Sequence, residues 1–187
     1  MNNNKSITSS FLLVIGAFIL FSVLLWFAYS NFSNQALSDL SPNKMGFEGK
    51  DIVRNIGDEV TDPFAKGAIA LTNKQYGEAA SFFESIPDTS QSYTQARLYL
   101  AYAQYELKAF DKTIINTNIV LNKSTNGLSK QKAEWLQLQA MLASGDTDTA
   151  AFDQLLDRIA ANEKHVVQKE AGELQKSMNS FWRGLVF

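Results

Sequence analysis

Cysteine is absent from the 187 residues, which excludes disulfide frameworks, thiolate metal sites, thiol nucleophiles and a lipid-modified N-terminal cysteine. Histidine occurs once, at His165, so paired-histidine metal sites are impossible and any Ser-His-Asp triad would have to use that residue. Its place beside Lys164 at a helix boundary predicts a solvated surface side chain. Positive charge is also scarce: 17 Lys and Arg stand against 19 Asp and Glu, a formal net of −2, with no basic run. A nucleic-acid surface needs clustered cations and is not expected. GxGxxG, phosphate-loop lysine and HExxH motifs are all missing, and the neighbouring carboxylates Asp146 and Asp148, or Asp153 and Asp157, fit helix-terminal and solvated charge. These absences leave no basis for an enzyme, and neither a cofactor nor a metal is expected.

What is present begins with a hydrophobic run. Ser6 to Ser38 contain no acidic or basic side chain, and within them lies FLLVIGAFILFSVLLWFAY, Phe11 to Tyr29. As a helix it would span roughly 28 Å at 1.5 Å per residue, close to the hydrocarbon thickness of a bilayer. Trp26 and Tyr29 stand where an interfacial aromatic belt would lie. The organisation expected from this is a short N-terminal segment (1–10), a transmembrane helix (11–29), a Ser- and Asn-rich linker (30–50) and a helical domain (51–187). Lys5 ahead of the run and Asp39 beyond it favour the N-terminus inside and the remainder outside the cytoplasm, as in a single-pass bacterial inner-membrane protein with a periplasmic domain.

From Asp51 onward Ala, Leu, Gln, Glu and Lys dominate, with Pro63 and Pro87 the only breakers. No sustained apolar-polar alternation occurs, so an all-α fold is predicted. The chain also resembles itself. A shift of 34 residues carries Gly67 to Ala101, Tyr76 to Phe110, Ala79 to Thr113 and Ile86 to Val120, and a further 37 carries Lys108 to Gly145, Phe110 to Thr147 and Thr113 to Ala150. Each copy reads as a helix with an apolar stripe, such as Leu98, Ala101, Tyr102 and Tyr105. A polar turn follows (KQYG, KAFD, GDTD) and then a second helix, as in Phe152, Leu155, Leu156 and Ile159. Such a pair cannot bury both apolar faces alone and must stack on a neighbour.

A helix-turn-helix unit of this length resembles the tetratricopeptide repeat. The resemblance rests on Gly67, Ala70, Tyr76, Ala79, Phe83 and Pro87 in the first copy and on Ala101, Gln104, Phe110 and Thr113 to Leu121 in the second. The second copy departs from the pattern at Thr113 and Thr117, and the third has Thr147 in place of an aromatic near its turn. The resemblance implies an α-solenoid of about three helix pairs (62–89, 92–123 and 130–161). In it Gly67, Tyr76, Ala79, Phe83, Ala101, Phe110 and Ala150 would serve the packing within and between pairs. It also implies a concave groove lined by the first helices, at Phe64, Ala68, Leu71, Leu98, Tyr102, Tyr105, Trp135 and Gln139. No Lys or Asn stands at those positions, which disfavours capture of a carboxyl terminus, while aromatic side chains suit an apolar or unfolded segment.

The tail carries one more apolar seam, Val167, Ala171, Leu174, Met178, Phe181 and Leu185, with Lys169, Glu170, Glu173 and Lys176 off it. It fits a helix (164–185) capping the last repeat or, alternatively, one that pairs with a second copy. The layout of apolar segment and short repeat domain is similar to the tetratricopeptide accessory subunits of the bacterial Sec translocon. That resemblance implies a scaffold or accessory subunit that binds another protein, such as a membrane complex or a translocating chain, in secretion or envelope assembly. A cytoplasm-facing receptor for protein import or assembly is the alternative, and an enzyme subunit a more distant one.

Overall fold

The computed structural model describes residues 19–26, 62–146 and 149–178. All regular structure among them is helical, without a strand, as the all-α reading expects. The chain divides into two compact units, Met1–Ser41 and Pro42–Phe187. In the first, helix α1 covers 19–26, and Ile19, Leu20, Phe21, Val23, Leu24, Leu25 and Trp26 are all exposed.

The expected membrane span is corrected here. Among the described residues no helix is long and apolar enough to cross a membrane. The described part of Phe11–Tyr29 is α1, about 12 Å long at 1.5 Å per residue against roughly 30 Å of hydrocarbon, and the rest lies outside the described residues. The single-pass, extracytoplasmic localisation is corrected on that ground. The short N-terminal segment, the linker 30–50, residues 51–61 and the tail beyond Met178, with Phe181 and Leu185 of the seam, also lie outside the described residues.

The second unit contains α2 (Pro63–Thr72), α3 (Tyr76–Glu84), α4 (Tyr93–Glu106), α5 (Phe110–Lys123), α6 (Gly127–Ser144), α7 (Ala150–Ala161) and α8 (Gln168–Met178). Several starts are dictated locally. Asp62 accepts a hydrogen bond from the Ala65 amide at 3.3 Å, with Pro63 at the first helical position, where its missing N–H costs nothing. Asn126 caps α6 through the Ser129 amide at 3.0 Å, and Thr149 caps α7 through the Phe152 amide at 3.2 Å.

The three turns within helix pairs share one geometry. Lys74, Lys108 and Gly145 have left-handed φ values of 59°, 60° and 80°. At the first turn the Lys74 amide donates to the Leu71 carbonyl and the Gln75 amide to that of Ala70, at 3.0 and 2.8 Å. The second repeats this with Lys108 to Tyr105 (2.9 Å) and Ala109 to Gln104 (2.8 Å), and the third with Gly145 to Leu142 (3.3 Å) and Asp146 to Met141 (2.9 Å). This is the Schellman closure, which satisfies the last carbonyls of a helix and reverses the chain. Ala70, Gln104 and Met141 are thus equivalent, 34 and then 37 residues apart.

Packing follows the same order. Each helix from α2 to α8 lies against the next within its pair or the following one, and the first helices also touch one another, α2 against α4 and α4 against α6. Between the first two pairs Phe83 stacks on Tyr99 (5.7 Å, 22°), while Phe64 meets both edge-on at 5.7 and 5.9 Å. Gly67, Ala79 and Phe83 are all buried. In the second pair the core turns polar. Thr113 and Thr117 are fully buried, and the Thr113 hydroxyl donates toward the Ala101 and Ala109 carbonyls at 3.3 and 3.2 Å. The Asn116 side-chain amide donates to Gln104 Oε1 at 2.8 Å. Small hydroxyls are tolerated in this interior because backbone carbonyls satisfy them.

In the third pair the register slips. Phe152, Leu156 and Ile159 are buried and follow Thr113, Thr117 and Val120 by 39 residues, whereas the first helix is displaced by 37. The turn therefore holds two additional residues. Ala150 is exposed, so its expected role as a close-contact point is corrected, and Phe152 fills that place. Helix α8 packs on α7 with Val167, Ala171 and Leu174 buried. That part of the tail seam is occupied within the unit.

Candidate interaction surface on the first helices

The repeated turns give the first helices a common register. Phe64, Leu98 and Trp135 are equivalent, as are Ala68, Tyr102 and Gln139, and Leu71, Tyr105 and Leu142. The residues expected to line a groove therefore do fall on corresponding positions of α2, α4 and α6. Their depth differs from expectation. Leu71, Leu98, Trp135 and Gln139 are exposed by only 4, 3, 1 and 2%, Ala68 is fully covered, and Tyr102 retains 6%. Side chains so covered are packed interior, and this corrects their assignment to an open surface. Phe64, Tyr105 and Leu142 are half-buried and keep accessible area. The physical reason is size: a large apolar side chain between adjacent helices is drawn into the seam, where its burial is worth about 1.5–3 kcal/mol.

Two of these buried positions are polar and unsatisfied. The Trp135 indole nitrogen and both amide atoms of Gln139, one turn further along the same face, have no hydrogen-bond partner among the described residues. A buried polar group left alone costs on the order of 1–3 kcal/mol, so α6 carries stored polarity where α2 has Ala68.

An aromatic corner forms where the start of α3 meets the end of α4. Tyr76, the first residue of α3, lies perpendicular to Tyr102 (88°, centroids 6.3 Å apart), and Tyr105 tilts against Phe110 at 5.7 Å. Glu106 follows Tyr102 by one turn on the same face of α4, and its charge acts on the Tyr102 hydroxyl. Burial, followed by the charge of Glu106, pushes the hydroxyls of Tyr76, Tyr102 and Tyr105 above the ordinary tyrosine value. Tyr76 and Phe110, expected as wedges at their turns, are half-buried and make these ring contacts. This tyrosine–carboxylate corner has no simple sequence signature, because its members come from the start of α3 and the end of α4.

A second polar cluster sits at the other end. His165 is buried at 4% exposure, which corrects the expected solvated histidine. Its Nδ1 accepts from the Val167 amide at 3.3 Å, and its Nε2 lies 3.4 Å from Glu134, whose other oxygen is 3.1 Å from Arg158 Nε. With Nδ1 accepting, the neutral ring carries its proton on Nε2, facing the carboxylate. His165 first, then Arg158 acting against partial burial, holds the Glu134 carboxyl below the usual carboxylate range. The loop is pinned as well by Gln131, whose amide donates to the Lys164 carbonyl and accepts from the Val166 amide, at 3.3 and 3.1 Å. This cluster joins α6, α7 and the approach to α8.

An open cleft of about 520 Å³ is lined by Lys108, Ala109, Phe110, Asp111, Lys112, Ala143 and Ser144, which bring no convergent set of reactive groups together. No group of three His, Asp or Glu among the described residues could hold a metal ion. No protein-family model, no curated protein and no solved structure matches the chain.

Proposed function

We propose that the second unit is a protein-interaction module built as a short tetratricopeptide-like solenoid, α2–α3, α4–α5 and α6–α7 with α8 as its cap, and that it binds a segment of another protein along the first helices. The observation that carries this reading is the threefold recurrence of one turn geometry at Lys74, Lys108 and Gly145. It aligns equivalent positions of α2, α4 and α6, the arrangement in which stacked repeats present an extended binding face. Phe64 and Tyr105 supply half-buried aromatic area there, and aromatic side chains provide large contact at little rotamer cost. The module acts as a scaffold or accessory subunit.

The test is a pull-down with the full-length chain, its retained proteins identified, repeated with Tyr105→Ala and Phe64→Ala. Loss of the same partner from both variants, with helical content unchanged by circular dichroism, supports the reading. Undiminished retention by both folded variants refutes it.

A further inference from the structure

Resting on that interaction reading, we propose that the corner built by Tyr76, Tyr102, Tyr105 and Glu106 receives a cationic side chain, lysine or arginine, of the bound segment. Glu106 is the last residue of α4, and no basic residue stands in that turn. The carbonyl end of a helix already carries partial negative charge and is favoured by cations, so a carboxylate there deepens a negative potential instead of relieving it. Among the described residues no cation is ion-paired with Glu106. Tyr102 stands one turn before Glu106 on the same face of α4, with Tyr76 edge-on against it and Tyr105 beside it in the chain, and an aromatic face attracts a cation through its quadrupole. Tyr76, Tyr105 and Glu106 are half-buried, which leaves them reachable while partly shielded from water.

Neither lysine of the adjoining turns is ion-paired with Glu106. Lys74 and Lys108 stand exposed on the two adjoining turns. Lys108 borders the cleft it shares with Lys112 and Phe110, and Glu78 in the first turn of α3 borders a second cleft, with Lys66 and Phe82. An anionic side chain would be repelled by Glu106. A neutral apolar one would meet the rings yet leave the carboxylate without a counter-charge. A lysine or arginine satisfies both, by a charge-assisted bond to Glu106 and contact with the tyrosine faces.

The experiment titrates the full-length chain with capped tripeptides Ala-Lys-Ala, Ala-Arg-Ala and Ala-norleucine-Ala, following assigned tyrosine ring signals by NMR. The expected result is a saturable shift at Tyr76, Tyr102 and Tyr105 with the two cationic probes and none with norleucine. Glu106→Gln, which keeps size and polarity, weakens the cationic probes about three- to fivefold or more, and Tyr105→Leu, which keeps apolar bulk, does likewise. No saturable shift with either cation overturns the proposal, as does equal binding of norleucine, or unchanged affinity in both variants. The two readings fail separately. A partner still captured at the first helices while the cationic probes do not bind removes the cation site alone, and specific probe binding without any partner dependence on Phe64 and Tyr105 removes the interaction surface alone.

Discussion

A Cβ atom placed on Gly67 would lie 2.7 Å from the ring of Phe83, with two further ring carbons at 2.9 Å. No real side chain accepts that distance, and the ring cannot swing away because Phe83 is fully buried and stacked on Tyr99. The close approach of α2 and α3 therefore depends on the missing side chain. Gly67→Ala is expected to destabilise the unit by about 1–3 kcal/mol through overpacking, despite the better helix propensity of alanine. Urea unfolding checks this, and Phe83→Leu in the same chain should recover part of the loss. A Gly67→Ala variant as stable as the parent would show that the ring has room to move.

The left-handed turns predict opposite signs for similar changes. Lys74 and Lys108 have positive φ with a side chain that disfavours it, whereas Gly145 is at its natural place. Lys74→Gly and Lys108→Gly should each raise stability by about 0.5–1 kcal/mol, and Gly145→Ala should lower it by about 1 kcal/mol. Thermal unfolding of the three variants gives the comparison. Destabilisation by both glycine substitutions would contradict the turn geometry.

The pairing of Asn116 with Gln104 predicts a non-additive pair. Asn116→Ala leaves the buried Gln104 oxygen without its donor and should cost about 1–3 kcal/mol. Replacing both residues by alanine removes this donor and acceptor together, so the double variant should lose about 1–2 kcal/mol less than the sum of the two single variants. A double mutant cycle by chemical denaturation reads the coupling, and strictly additive losses would rule it out.

Glu134 sets a pH dependence. Its carboxyl is held below the ordinary value of 4.5 in the folded chain, first by His165. A carboxyl lowered on folding adds stability above its unfolded pKa, and that stability is lost as the pH falls through the folded value. The urea midpoint should therefore fall more steeply below about pH 4.5 in the parent than in Glu134→Gln. Identical slopes would mean that Glu134 does not supply the difference.

Much of this arrangement is legible in the sequence. The helix pairs follow from apolar spacing, and the turns from KQYG and KAFD, because periodicity reports which face of a helix is covered. Register alone places Leu98 and Trp135 with Phe64, but it carries no information on depth, so two buried seam residues and one accessible ring look alike. Ala150 misleads for a related reason. A shift of 37 holds through Gly145, and the lengthened turn then moves the second helix by two, which the sequence expresses only as polar residues. His165 looks solvated beside Lys164, since its carboxylate partner Glu134 is 31 positions away. The tyrosine corner is hidden because Tyr76 and Tyr102 meet across helices.

Binding of a protein segment along the first helices is read by site-specific photo-cross-linking. The photoreactive residue p-benzoylphenylalanine is introduced in place of Tyr105 in one chain. In another it replaces Ile115 on α5, which is 60% exposed and belongs to a second helix. Cross-linking in cells that make the protein should give a discrete partner adduct from position 105 and none from position 115. An adduct from position 115 alone, or equal adducts from both, would contradict the account.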